Sequence, residues 1–302
     1  MAHFLVPPNG SGVGYDVDSK LAPGSVWRMQ VPLGSAHDIT LGGGAGLFVR
    51  SNNPGVVPNA FSESQNGDLR VFTLSGAALG TSMLEAGKGE QVWISLQVQV
   101  VSPAALLVQL IPRPNRGTLN PGLSAADNHL MLQLFGAPRS TYSKTDQPLT
   151  NPRLKRNMTT ASVGPFRAHG MAPAVDSLRM VMTDIRAHQP DVYRILGSIG
   201  MLVCRYMSDS TKLISMHSWG TAIDLTLNRV RDKRDDGKVQ YGLTLIAPIF
   251  NRHGWYWGGG FPTEDGMHFE GSRAAVSKWA TQLVPCLANC CARVVFRGCR
   301  AS

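Results

Sequence analysis

Charge is sparse in this chain, and acid is sparser than base: charged residues make up 16% of the sequence, with 20 Asp and Glu against 29 Lys and Arg. With hydrophobic residues at 43%, that scarcity excludes a disordered, self-repelling polyelectrolyte and leaves a globular chain. Long apolar runs are missing too. No stretch approaches the roughly 18 residues needed to cross a bilayer as a helix, so no membrane span is expected. The opening Met1-Ala-His-Phe-Leu-Val-Pro-Pro has no basic segment followed by an apolar core, so no Sec-type signal peptide is expected either. Cysteine is limited to five residues: Cys204, Cys286, Cys290, Cys291 and Cys299. They lack the paired C-x2-C spacing of a structural zinc site, and Cys286 and Cys290 share a face if their segment is helical. Buried thiols or a local disulfide are therefore expected of the tail, and the redox compartment stays open.

What the chain does have is an excess of base, a net charge of +9 and a pI near 9.6. Such a field favours polyanionic surroundings: nucleic acid, anionic lipid, or a cell wall bearing carboxylates and phosphates. No dense Lys/Arg run is interleaved with aromatics, so a nucleic-acid partner is not expected.

Length favours about two domains. Short β-rich runs fill the first hundred residues, among them Val26–Val31, Leu47–Arg50, Leu69–Leu74 and Gln91–Val101, separated by Gly, Pro and Asn. In the last of them Val92, Ile94, Leu96, Val98 and Val100 alternate with mostly polar residues, the period of a half-buried strand. Residues 1–101 are read as a β-sandwich module, whose Ser51-Asn-Asn-Pro segment, Gly80-Thr segment and final alternating strand loosely resemble bacterial Ig-like modules. Residues 102–122, rich in Pro and Gly, are read as a linker, and 123–302 as an α+β domain with a Cys-rich tail. Within it Ser124 is expected to cap a helix, with Asp127 at the capping-box position. Val175, Leu178, Met182 and Ile185 mark an amphipathic helix over 173–188 that Pro190 closes, with Met180 and Met182 as core filler.

The chemistry lies further on. In Ser215-Met-His217-Ser-Trp-Gly220-Thr-Ala222-Ile-Asp224 an imidazole and a carboxylate are seven residues apart. On a helix that is two turns, about 10 Å, too far for one ion. They are therefore expected on a turn followed by a strand, with Gly220 permitting the turn and Ile223–Leu227 forming the strand. The second constellation is Glu264-Asp265-Gly-Met-His268-Phe-Glu270. Two imidazoles and one carboxylate make a three-ligand set of the kind a catalytic Zn2+ uses, with a further position left for water, although they do not exclude other divalent ions. Asp265 is the candidate base for the water's proton, and the adjacent Glu264 is an alternative. Glu270 reads as a supporting acid and His253 as structural. Ser215 reads as a hydrogen-bonding residue, since no Ser-His-Asp arrangement surrounds it.

The run S-x-H-x-x-G-x-A-x-D from Ser215 to Asp224, followed by D-x-x-H-F-E from Asp265 to Glu270, resembles the zinc D-alanyl-D-alanine carboxypeptidases and L-alanyl-D-glutamate endopeptidases. That family includes vancomycin-resistance D,D-peptidases and phage endolysins. The likeness covers roughly residues 125–275. It implies metal ligation by His217, Asp224 and His268, a base at Asp265, and substrate binding by an arginine upstream of the first His, for which Arg205 is the candidate. The aromatic Gly254–Gly260 segment also fits. The implied substrates are peptidoglycan stem peptides, cut by an L-Ala-D-Glu-type endopeptidase acting as a lysin or antibacterial effector. The alternatives are a D-Ala-D-Ala carboxypeptidase or a non-catalytic wall-binding component. Such a protein is expected to be made in the cytoplasm and to act on the wall or periplasm after export or delivery. A delivery or immunity protein would be its partner.

Overall fold

The computed structural model describes residues 4–5, 26–42, 46–66 and 69–283, so Cys286, Cys290, Cys291 and Cys299 lie outside the described residues. The chain is mixed α+β and falls into two compact units, Met1–Leu107 and Val108–Ser302. No helix of the described residues is long and apolar enough to cross a membrane.

The first unit is built from β1 (Phe4–Leu5), β2 (Val26–Pro32), β3 (Ala36–Gly42), β4 (Leu47–Ser51), β5 (Ser62–Asn66), β6 (Leu69–Ser75), β7 (Gly80–Lys88) and β8 (Gln91–Val101), closed by the short helix α1 (Pro103–Leu107). These strands form two four-stranded sheets, β1-β3-β6-β5 and β2-β8-β7-β4, antiparallel except where β2 runs parallel to β8. Ile39, Phe72 and Leu74 of one sheet share a core with Val31, Leu84, Leu96 and Val98 of the other. The alternation expected of β8 is present from Ile94 onward, with Ile94, Leu96, Val98 and Val100 buried, but Val92, expected on the same face, is exposed beside a register shift in β7.

The segment read as a linker contains the boundary between the two units, and its apolar 104–111 stretch, open to packing on either domain, divides between them. Its α1 belongs to the first unit, while β9 (Leu110–Pro112) pairs with β14 (Lys238–Gln240) in the second. Arg113 Nη1 donates to the carbonyl of Phe261 at 3.0 Å and Arg116 Nε to that of Gly260 at 2.9 Å.

The second unit continues with α2 (Asn128–Phe135), α3 (Pro152–Arg156), β10 (Met158–Ser162), β11 (Arg167–Met171), α4 (Ala172–His188), α5 (Pro190–Ile195), β12 (Leu196–Gly200), β13 (Ala222–Leu227), β14, α6 (Tyr241–Arg252), β15 (Trp255–Trp257), β16 (His268–Gly271) and α7 (Arg273–Thr281). Helix α2 starts later than the capping pattern implied. Asp127 is its N-cap, accepting from Leu130 N at 2.8 Å, because residues 124 and 125 are tied by their backbone to Arg273 and Ser272. Helix α4 follows the sequence reading, with Val175, Leu178, Met182 and Ile185 buried, but Met180 turns outward and is exposed. His253 is paired with Asp184 at 2.8 Å, a structural bond between α4 and the end of α6.

The sheet that positions the site is antiparallel, in the order β12-β13-β16-β15. Its register sets Asp224 of β13 directly opposite His268 of β16, which brings cross-strand side chains to within about 5 Å at Cβ. Phe269 anchors β16 from below, stacked on Phe250 of α6 with ring centroids 4.0 Å apart. His217 comes from a 3-10 turn, Met216–Trp219, pinned by the buried indole of Trp219, whose Nε1 donates to Gly136 O at 2.9 Å.

That turn ends at Gly220, whose φ is +65° and where a Cβ would lie 2.7 Å from Met171 N and 2.9 Å from Gly170 Cα. Backbone sign and backbone contact both demand glycine. Gly220→Ala is expected to destabilise the protein by at least about 2 kcal/mol in denaturant unfolding; an unchanged midpoint would show that the turn relaxes without strain.

Candidate metal centre

His217 Nε2, Asp224 Oδ1 and His268 Nδ1 converge. The separations are 3.2 Å from His217 to Asp224, 3.2 Å from His217 to His268 and 3.0 Å from His268 to Asp224. All three residues can contribute one ligand atom to a single ion. Tetrahedral coordination with ligands 2.0–2.1 Å from the ion needs donor atoms about 3.3 Å apart, close to this spacing.

The proton inventory supports a cation more strongly than the distances do. His217 Nδ1 lies 3.0 Å from the carbonyl of Met201, which can only accept, so Nδ1 carries the hydrogen and Nε2 is left with a lone pair. His268 Nε2 lies 3.1 Å from Glu270 Oε2, which in the same way leaves a lone pair on Nδ1. Two neutral imidazoles so oriented would point two lone pairs at a carboxylate oxygen, a repulsive arrangement unless a cation joins it. With protons alone available, one imidazole must charge. Burial opposes that at His268, but Asp224 and Glu270 outweigh burial and push it up to about 10. Burial likewise resists ionisation of Asp224, yet the two imidazoles hold it well below the usual carboxylate range. The residues present therefore fit a divalent metal.

The surrounding chain fixes each ligand. Ser218, beside His217, bonds through its hydroxyl to the backbone of Val203 and Arg205, so the 201–205 segment lies along the His217 turn. Ser215 joins the same arrangement through its backbone, donating to Arg205 O at 3.0 Å. The Arg205 guanidinium itself donates to Tyr206 O at 3.2 Å.

Asp265 lies in the tight 261–267 loop that enters β16. Its amide donates to Gly258 O at 3.1 Å, and its carbonyl accepts from His268 N at 3.1 Å. A Cβ at Gly258 would stand 2.5 Å from Asp265 O, so this glycine lets the loop lie flat against the 3-10 turn Gly258–Gly260. Trp257 Nε1 donates to Gly266 O at 2.6 Å. The Asp265 carboxyl is partly exposed, and burial and Asp224 raise its pKa while His268, Arg234 and His217 oppose. It thus feels all three ligands of the centre.

Glu264 does different work. Burial would raise its pKa, but backbone N–H groups prevail and lower it: Oε1 accepts from Asp236 N at 2.5 Å and Gly237 N at 2.8 Å. That carboxylate is committed to holding a turn, a poor starting point for a base.

The 228–237 loop between β13 and β14 drew no attention in the sequence, yet it touches the site. Arg234 Nε lies 3.8 Å from Asp265 Oδ2. Asp232 is only 2% exposed, and its Oδ2 accepts from Gln240 N at 2.5 Å. Only its odd position, a carboxylate alternating with Arg231 and Lys233, could have flagged it.

Two outcomes are expected. Glu270→Ala should leave the fold intact and weaken metal binding about 10- to 100-fold in competition with a chelator, because His268 loses the group that orients it; an unchanged affinity would remove Glu270 from the site. Burial, with Asp236, Asp265 and Glu264 adding repulsion and Gln240 N–H opposing, raises Asp232 to about 6. The folded protein then holds a proton that the unfolded chain loses near pH 4, so stability falls as pH rises from about 4 to about 6, by up to roughly 3 kcal/mol. Asp232→Asn should flatten that slope in unfolding curves taken across the window.

Residues 208–271 match the sequence model of the family described as D-alanyl-D-alanine carboxypeptidase. No curated protein matches the chain. Among solved structures a likeness extends to the crystal structure of the S-layer protein SbsC domains 4 and 5, at 18% identity and a TM-score of 0.23, over 28% of this chain and 52% of that one. The chain thus spans about half the length of that structure, and so low a score bears on neither fold nor function. The family match contains His217, Asp224, Asp265 and His268 together, and it supports a peptidase related to the D-alanyl-D-alanine carboxypeptidases.

Proposed function

We propose that this protein is a zinc-dependent peptidase acting on peptidoglycan stem peptides, with His217, Asp224 and His268 as the metal ligands. The observation that carries the proposal is the convergence of two bare imidazole nitrogens and one carboxylate oxygen at 3.0–3.2 Å, inside the segment that matches a D,D-carboxypeptidase family. Bound there, zinc would supply an acidified water and polarise the scissile carbonyl.

The remaining steps belong to the chain. Asp265 takes the proton of the attacking water and returns it to the departing amine. Arg205, the candidate implied by the family resemblance, would steady the carbonyl oxygen or a terminal carboxylate of the substrate. Glu270 holds His268 in the tautomer that leaves Nδ1 free.

The bond cut follows from the substrate ends the cleft accepts. The description of the matched family favours removal of a terminal D-Ala. The β-rich first unit fits a lysin or effector that reaches an intact wall and opens L-Ala-D-Glu bonds internally, and an Ig-like role in adhesion or delivery is the reading we attach to it.

Mass spectrometry of muropeptides after digestion separates these. Loss of a terminal alanine identifies the carboxypeptidase and an internal cut the endopeptidase, while a chelator-insensitive digest would sink the metal mechanism. Asp265→Asn should retain the metal while kcat falls about 10²- to 10⁴-fold, and Glu264→Gln should act chiefly on stability. The reverse pattern would move the base to Glu264. Because Asp265 must be ionised to accept a proton, kcat/KM should fall as pH drops through its pKa.

A further inference from the structure

We propose that the 228–237 loop is a brace for the catalytic acid and that Arg234 is its positioning residue. This inference rests on the reading of Asp265 as the group that moves the proton. Three consecutive residues just before His268 are each engaged from that loop. Glu264 takes the amides of Asp236 and Gly237, and its carbonyl accepts from Asp235 N at 3.2 Å. Asp265 faces Arg234. Gly266 lies against Asp232 so closely that a Cβ there would stand 2.8 Å from the carboxyl carbon. Asp232 is itself locked by Gln240 N, and Gln240 Nε2 reaches back to Val230 O at 3.5 Å.

Arg234 links this loop to the other side of the site. Nη2 donates to Asp209 Oδ2 at 2.8 Å and Nη1 to Ser208 Oγ at 2.9 Å, while Nε lies 3.8 Å from Asp265 Oδ2. The 207–210 turn is a firm anchor, because Lys144 Nζ donates to the carbonyls of Met207, Ser208 and Ser210 at 2.9, 2.7 and 2.7 Å. One planar, rigid cation therefore spans from the turn leading to His217 to the loop leading to His268. Lysine, a point charge on a flexible stem, cannot hold both ends at once. Asp265 Oδ1 has no hydrogen-bond partner among the described residues, so the carboxylate's orientation depends on what faces Oδ2, where Arg234 Nε stands at 3.8 Å as an ion pair beyond hydrogen-bond length. Catalysis is sensitive to such placement, and a displacement of about 1 Å can lower rates about 100-fold.

The experiment uses the full-length zinc-loaded protein and one purified stem-peptide substrate. Its variants are Arg234→Ala, Arg234→Lys, Asp209→Asn, the Arg234→Ala/Asp209→Asn double and, as reference, Asp265→Asn. We expect Arg234→Ala to lower kcat about 10- to 100-fold while KM stays within about twofold and zinc content is unchanged. Arg234→Lys should recover little of that loss. Asp209→Asn, at an exposed position that folding tolerates, should lower kcat less, and the double variant should be no worse than Arg234→Ala alone, because one clamp is being opened twice. Normal kcat in Arg234→Ala and Asp209→Asn beside an inactive Asp265→Asn would overturn the brace and leave the acid in place. An effect confined to KM would also overturn it, making Arg234 a substrate contact. An active Asp265→Asn would instead overturn the assignment of the acid itself.

Discussion

The structure of the second unit is organised around a repulsion. Two imidazole nitrogens and a carboxylate oxygen, none with a hydrogen to offer the others when the rings are neutral, are held about 3 Å apart in a largely buried place. With both rings neutral and no cation present, nothing intrinsic to those three groups keeps them together; an added proton on His268 would attract Asp224 instead. The surrounding chain must supply the restraint, and most features of the unit can be understood as parts of it. Sheet register fixes Asp224 against His268, a buried tryptophan and a left-handed glycine fix the turn that carries His217, and Met201 O and Glu270 dictate which ring nitrogens face inward.

The same economy extends to Asp265, the proposed acid. Asp265 sits three residues before His268, on a loop flattened against Gly258 and held by Trp257 Nε1. Arg113 and Arg116 secure the neighbouring Gly260 and Phe261 carbonyls from a part of the chain more than 140 residues earlier. Support of this kind is expected where a reactive group must stay within a fraction of an ångström of its working position.

How much of this was readable in the residues divides along a physical line. Local patterns were legible: the alternation of β8 from Ile94 onward, the stripe of α4, and the His217–Asp224 motif whose spacing called for a turn and then a strand. Chemistry confined to a short segment shows in composition and spacing. Support that reaches across the fold does not, because Arg234, Arg113 or Asp232 in isolation is only one more charged residue in a loop. The partners of the proline- and glycine-rich stretch from 102 to 122 were hidden for the same reason, since β14 and the Gly258–Phe261 turn lie more than a hundred residues away. Ser124 had the right chemistry for a cap, but the backbone bonds of its neighbourhood delay the helix to Asp127.

The cross-strand placement of Asp224 and His268 carries a thermodynamic corollary. A cation shared by adjacent strands is a crosslink between β13 and β16 that the unfolded chain has no comparable means of forming. Folding and ion uptake are then a single linked equilibrium, in which stability grows with free ion as RT ln(1 + [M]/Kd). The ion concentration of whichever compartment the protein occupies would set how tightly the centre of its sheet is closed, and a chelator would act on the architecture as well as on the chemistry.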